Sequence, residues 1–542
     1  MRQRIHFSKI QDALKNIDWK LLLFMILFLN VKLIIKVAAI ALIYLFQFDF
    51  KFGFRWRTSR LPLFYLILIA IGIFNWFLLA GFREINYTIA FLTGLFFWTL
   101  CILAVHQIKL FVEHNSAVVI DKTITVFFVL NAIFSVAVLI MIMIKTGAIN
   151  PYLYQGEYQK YFIGTGDYIR GISFDTSTTN AALNGFGVIY FLSKKNVKMM
   201  MLCMIILLMT GSNITNFLLA AVLLLMFIFR TDRDQKSLVF VCLLLLVIFL
   251  AKVSPQNNSY VSNYLGSIFN PKEKKPAVEN ILPIRLRPDS TLSPQERNEK
   301  IATLYLDSLY RLRNKEEIKI NVQNVHSASF IEKTEIPTAD INSAPYQHKS
   351  VVTPVEKKMK QFIQLHSNEL ILSTNENYHP KLPGKVIAYK QTFDFFKQHP
   401  LKIITGSGTG NFSSKLAFKT TGLNISGGYP QKFIYINEPF LKNHLDLYLS
   451  YFTKPDGFHS VANNPNSVYD QLLSEYGLLG LLAFFIFYVG FFLKNFRKLT
   501  YGIPLVVFLS GIFFVDYWFE QLSIVVFLEL LLFLNLKEEA GK

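Results

Sequence analysis

The sequence predicts an all-α polytopic membrane protein of about twelve transmembrane helices, with a large polar insert ahead of the last three. Three observations predict this class. Hydrophobic residues make up 52% of the 542 and charged residues only 17%, where soluble domains run near 25% charged. Apolar runs recur at the ~20 residues needed to cross a ~30 Å hydrocarbon core. Lys and Arg gather in the short loops between those runs, as they do on the cytoplasmic side of membrane proteins.

The elements follow in order. Segment 21–48 is too long for one span and carries Asn30, Lys32 and Lys36 in its middle, so a tight hairpin of two short helices is expected. No small-residue cleavage site marks it as a removable signal, and it is expected to stay as an anchor. Further spans are expected at 61–80, 87–105, 123–144, 179–192, 199–210, 214–229 and 238–251, and after the insert at 468–493, 501–515 and 522–536. With the hairpin, five basic clusters fall on one side: Arg2 to Lys20, Lys51 to Arg60, Lys194 to Lys198, Arg230 to Lys236 and Lys494 to Lys498. The positive-inside rule makes that side cytoplasmic and places both termini there. The chain then divides into an N-terminal transmembrane bundle (1–253), an external insert (254–465) and C-terminal transmembrane helices (466–542).

The net charge of +19 is accounted for by these loops and does not imply a nucleic-acid partner. Cys101, Cys203 and Cys242 all lie in apolar runs, which suggests neither a disulfide framework nor a metal site. The 52 Phe residues suit lipid-facing helices.

The insert, roughly 210 residues, far exceeds ordinary loop length and is therefore functional, independently folded or disordered. Ser293-Pro294 reads as a helix start, followed by Ile301, Leu304, Tyr305, Leu309 and Leu312 at helical spacing. Residues 321–377 are polar and weakly patterned. Order returns at 385–399, where Val386, Tyr389, Phe393 and Phe396 are expected to form one apolar face and Pro400 to stop the helix. Gly406-Ser-Gly-Thr-Gly-Asn411 follows. It lacks the strand, lysine and hydroxyl context of a phosphate loop, and reads as a tight turn.

Asn466-Ser-Val-Tyr469-Asp-Gln471-Leu-Leu-Ser-Glu475-Tyr-Gly477-Leu-Leu-Gly480 resembles the signature of the O-antigen ligase/polymerase family, bacterial integral-membrane enzymes. Thr210-Gly-Ser-Asn213 is similar to that family's Thr-Gly-Ser-Arg at an external helix end. Residues 385–412, with His399-Pro400 and Gly408-x-Gly410-Asn-Phe412, resemble that family's helix–His-Pro–Gly-x-Gly segment. The resemblance implies a glycosyltransferase at the outer face of the bacterial inner membrane. Its donor would be a polyprenyl-diphosphate-linked glycan and its acceptor a glycan, lipid or protein, with no metal, nucleotide or other cofactor.

That chemistry needs cations for the diphosphate and a base for the acceptor hydroxyl. The family's arginines fall on Asn213 and Lys385, and its histidine on Asn466. The candidate catalytic residues are accordingly Lys385 and Arg170 as cations, His459 as base, and Asp516, with Glu520 beside it, as carboxylates of the last external turn. Asn213, Asn466, Tyr469, Gln471 and Glu475 are candidate substrate-binding residues. A transporter or flippase of lipid-linked sugars and a non-catalytic assembly protein are the competing functions. A transporter would show a polar pathway through the bilayer midplane. An enzyme would bring Lys385, Arg170, His459 and Asp516 to one external cavity.

Overall fold

The computed structural model describes residues 16–56, 58–147, 149–153, 169–253, 383–422, 428–445, 447, 464–494 and 496–540. Every element among them is helical. Four helices are long and apolar enough to cross a membrane: Ile85–His114, Ala117–Lys145, Arg233–Val253 and Val468–Leu493. Six further apolar helices are shorter, from 10 to 17 residues, so twelve full spans are not established. The possible helix after Ser293 and the polar stretch 321–377 lie outside the described residues.

Each apolar run of the sequence is nevertheless a helix. The hairpin consists of α1 (Trp19–Phe28) and α2 (Leu33–Phe46). Asp18 caps α1 by accepting from the Lys20 and Leu21 amides at 2.9 and 3.1 Å. Then come α3 (Phe64–Leu78), α4 (Ile85–His114), α5 (Ala117–Thr146), α6 (Ser177–Ser193), α7 (Val197–Met209), α8 (Asn213–Phe229) and α9 (Arg233–Ile248). At 30 residues, α4 and α5 are each about 45 Å long. Their ends therefore outrun an apolar layer, and α4 ends in ion pairs of Glu113 with Arg60 and Lys109.

The insert contributes α10 (Gly384–Gln398), α11 (Lys402–Thr405), α12 (Lys415–Thr420) and α13 (Glu438–Lys442). The C-terminal part holds α14 (Val468–Ala483), which runs through a π turn at Phe484–Val489 into α15 (Gly490–Leu493). It ends with α16 (Gly502–Ile512), α17 (Trp518–Gln521) and α18 (Ser523–Ala540). Helices α6 and α18 are buried around almost their whole circumference, so they form the centre of the bundle.

The face of α10 differs from the expected one. Its buried side is Ile387, Ala388, Gln391, Thr392, Phe395 and Phe396, while Val386 and Phe393 are about half exposed. Apolar periodicity missed this because polar Gln391 and Thr392 belong inside, Thr392 through a bond to a buried carboxylate.

Contacts sort the loops into two ends. At one end Asn115 bonds Asp18, Lys194 pairs with Glu538, Lys195 with Asp232, Arg230 with the Leu499 and Thr500 carbonyls, and Lys537 with the Val112 carbonyl. At the other, the hairpin turn meets the 171–173 turn through Val31 N–H and the Ser173 carbonyl. There Lys36 Nζ binds the Phe28 carbonyl and Ser523 Oγ at 2.7 and 2.9 Å, and the insert packs on the bundle.

Candidate polar site where the insert meets the bundle

A glycine-rich loop seats the insert. Residues Ser407, Thr409, Asn411, Ser413 and Ser414 are all buried, and the loop wraps the middle of α14. Glu475 lies at its centre. Its Oε2 accepts from Gly410 N–H at 2.9 Å, and its Oε1 from Phe412 N–H and Ser414 N–H at 3.1 Å each. The loop is thus an anion cradle filled by the chain's own carboxylate. Irregular backbone against this helix is tolerated because it is enclosed by protein and its amides are bonded.

Two glycines permit the approach. Gly406 (φ +81°) lies against the Glu475 carbonyl and Gly477 (φ +68°) against the Ile404 carbonyl, and a Cβ on either would come within 2.3 Å of that backbone. Gly477 breaks the helical dihedrals of α14 at this point. Asn75 Nδ2 fixes the loop to α3 through the Thr405 carbonyl at 2.5 Å. Tyr476 OH accepts from Trp98 Nε1 at 2.7 Å and from Thr409 Oγ1 at 3.2 Å, which joins α4 to the loop.

With the loop in place, the start of α14 faces the 516–521 turn through a ladder of amides and carboxylates. Asn466 Nδ2 donates to Asp516 Oδ1 at 3.2 Å, Gln471 Nε2 to Glu520 Oε1 at 2.7 Å, and Gln521 Nε2 to Asp516 Oδ2 at 2.5 Å. The carboxylate acceptors fix each amide's orientation. The oxygens Asn466 Oδ1, Gln471 Oε1 and Gln521 Oε1 are left buried and without a hydrogen-bond partner among the described residues. Orphaned buried acceptors are uncommon and costly.

Beside this ladder, α12 presents Lys415 and Lys419, one turn apart on one face and both half-buried. Neither amine has a hydrogen bond or ion pair among the described residues; Lys419 lies over the Phe97 ring at 5.7 Å. Burial, and then the charge of Lys415, hold the Lys419 amine below the usual lysine range. Burial and the nearby Glu475 push the Glu520 carboxyl up, against the pull of Lys419 and Lys415. Lys36 lies within electrostatic reach of Asp175 and Lys415. Like charges this close, partly out of water, favour an anion between them.

One turn further along α14, Asp470 is fully buried. It accepts from Thr392 Oγ1 at 2.7 Å and from His444 Nε2–H at 2.8 Å. His444 Nδ1, the other ring nitrogen, is buried without a hydrogen-bond partner among the described residues.

Of the residues expected from sequence, Lys385, Asn466, Asp516, Gln471 and Glu475 come together here. Lys385 Nζ bonds the Asn466 and Val515 carbonyls, so it staples α10 to both sides of the ladder. Burial lowers its pKa to about 7, opposed by Asp516 and Asp470. Tyr469 OH donates to the Ser510 carbonyl at 2.9 Å and its ring packs on Phe514, which makes it a joint between α14 and α16. Asn213 opens α8, where Gly211 makes the left-handed turn from α7. Arg170 is exposed at the head of the Gly171–Ser173 turn, which the Asn131 side chain holds through Ile172 N–H. His459 lies outside the described residues.

Lys415, Lys419, Asp470 and His444 were not anticipated. The Lys-Leu-Ala-Phe-Lys spacing could have flagged the first two. Nothing near His444 in sequence announces Asp470. Comparison with known proteins finds no matching family, no matching curated protein and no matching solved structure.

Proposed function

We propose that this chain is an integral-membrane glycosyltransferase of the O-antigen polymerase or ligase type. It transfers glycan from a polyprenyl-diphosphate-linked donor at the outer face of the bacterial inner membrane, with the basic end of the bundle cytoplasmic and the insert outside. The carrying observation is the meeting of two half-buried lysines, which make no hydrogen bond or ion pair among the described residues, with three buried amide oxygens that have no partner among them. A diphosphate supplies negative charge to Lys415 and Lys419. Sugar hydroxyls supply donors to Asn466, Gln471 and Gln521. One ligand class with both features is a glycosyl diphosphate.

In the reaction the anomeric carbon's bond to the diphosphate oxygen breaks, and its electron pair leaves with the lipid diphosphate. The acceptor hydroxyl oxygen forms the new bond and its proton passes to a base. His459, near in sequence to Asn466, and His444, oriented by Asp470, are the two candidates for that proton. Asp516 is engaged by Asn466, Gln521 and the Tyr517 amide, which suits it to holding the ladder together. Inside the bundle, Asn131 bonds Asn180 and Tyr65 bonds Glu529, while Asn216 and Glu529 Oε2 are buried without a partner among the described residues.

The test is transfer from a lipid-linked oligosaccharide by purified, reconstituted protein. Lys415→Ala and Lys419→Ala should each lower the rate by about 10²–10³, the scale of losing one charge-stabilising contact. Loss confined to His444→Gln or to His459→Gln, with a changed pH profile, identifies the base. Wild-type rates in both lysine variants would remove the proposed diphosphate site. In cells, deletion that leaves single repeats means polymerase; deletion that leaves lipid-linked polymer unattached means ligase.

A further inference from the structure

At the basic end of the bundle, away from the ladder, α8 and α16 leave a groove between them. Val222, Leu225, Met226 and Phe229 of α8 face Pro504 and Val507 of α16, around a cavity of about 190 Å³ with Arg230 at its mouth. The α8 residues recur at helical spacing, so the groove runs along the helix for about 10 Å. Leu225, Phe229 and Val507 are exposed, so it opens outward. The walls are apolar, and lipid tails are as apolar as leucine, so tail burial alone gives little preference for this groove over the surrounding bilayer. Any selectivity must come from its mouth.

The mouth is cationic. Arg230 Nη1 donates to the Leu499 carbonyl at 2.5 Å and the Thr500 carbonyl at 3.1 Å, so the guanidinium bridges the ends of the two walls. A guanidinium has five N–H donors, and no hydrogen bond is described for Nε or Nη2. Arg233 and Lys236 lie in the first turn of α9, with Asp234 between them, and Arg497 and Lys498 lie on the turn before α16, while Asp232 is paired with Lys195.

We infer that this groove binds one acyl chain of an anionic phospholipid, with the lipid phosphate on Arg230. The bound lipid bridges α8 and α16 where their own side chains do not meet. The inference rests on the membrane reading and is independent of glycosyl transfer.

The experiment uses the full chain purified in a neutral detergent, with retained lipid counted by native mass spectrometry after adding phosphatidylglycerol or phosphatidylcholine. Wild type should hold phosphatidylglycerol about tenfold more tightly, the scale of one charge-assisted contact. Arg230→Gln should abolish that preference and Arg230→Lys keep part of it. Val507→Trp, which fills the groove, should lose the bound lipid while Arg230 remains. Equal retention of both lipids by wild type, or unchanged selectivity in Arg230→Gln and Val507→Trp, overturns the inference. Failure of the protein to partition into vesicles at all would instead overturn the membrane reading.

Discussion

Glu475 shows how much a single carboxylate can organise. Three backbone N–H groups converge on its two oxygens, a geometry that only an anion satisfies fully. Glu475→Gln turns an NH₂ toward those donors and should cost about 1–3 kcal/mol, the price of leaving a buried polar group unmet. Glu475→Ala should cost more, because all three amides are orphaned. Thermal unfolding in detergent measures both. At the same scale, Lys419 and Glu520 give the site a pH dependence. Lys419 is held down to about 8 and Glu520 is raised to about 8. Below that window Lys419 is charged and Glu520 neutral; above it the amine loses its charge and the carboxyl gains one. Lys415 acts on both and Glu475 on Glu520, while Lys36, beside Asp175, lies within reach of Lys415. Anion binding therefore takes up protons, and inorganic pyrophosphate should bind more weakly as pH rises through about 8. Titration calorimetry from about pH 6 to 9 reads this, and Lys419→Arg, which stays charged, should flatten the dependence.

At the scale of elements, the lock between α14 and the glycine loop carries the site. Gly477 sits at φ +68°, ψ −166°, a region open essentially to glycine alone. The atom its Cβ would meet is the backbone oxygen of Ile404, which cannot swing away. Gly477→Ala should therefore cost at least the ~1–3 kcal/mol of backbone strain and free the loop. A lower melting temperature and faster proteolysis within the insert are the expected readouts. Gly490→Ala is the control: its φ is ordinary and its nearest contact is 3.4 Å. The hairpin, by contrast, was legible in the sequence, because Lys36 in the middle of 21–48 requires a polar end there. Lys36 is indeed held by the Phe28 carbonyl and Ser523 at the hairpin's closed end. The buried face of α10 was not legible, because Thr392 is inside only on account of Asp470, 78 residues away.

For the whole molecule, the proposal places the insert and the basic loops on opposite sides of the bilayer. Lys397 is exposed on α10 and Lys236 lies on the basic end. The native cysteines are all buried, so single engineered thiols report cleanly. Lys397→Cys in intact cells should react with a membrane-impermeant maleimide, and Lys236→Cys should react only after permeabilisation. The reverse pattern would place the site on the cytoplasmic side and overturn the proposed topology.

The sequence by itself determined the helical class, the position of the apolar helices and of α10, and the polar elements that open α14, but not the short helices α11, α12, α13 and α17. Apolar runs and loop charges are local properties, and transfer of side chains out of water acts on each run separately. Only the tertiary structure decided which polar groups share a site. Glu475 turned out to be the seat of the glycine loop, Lys385 a staple between two carbonyls, and Lys415, Lys419 and His444 members of the polar cluster. Their partners lie tens to hundreds of residues away, and whether a charge is paired, cradled or left without a partner depends on distances that the order of residues does not contain.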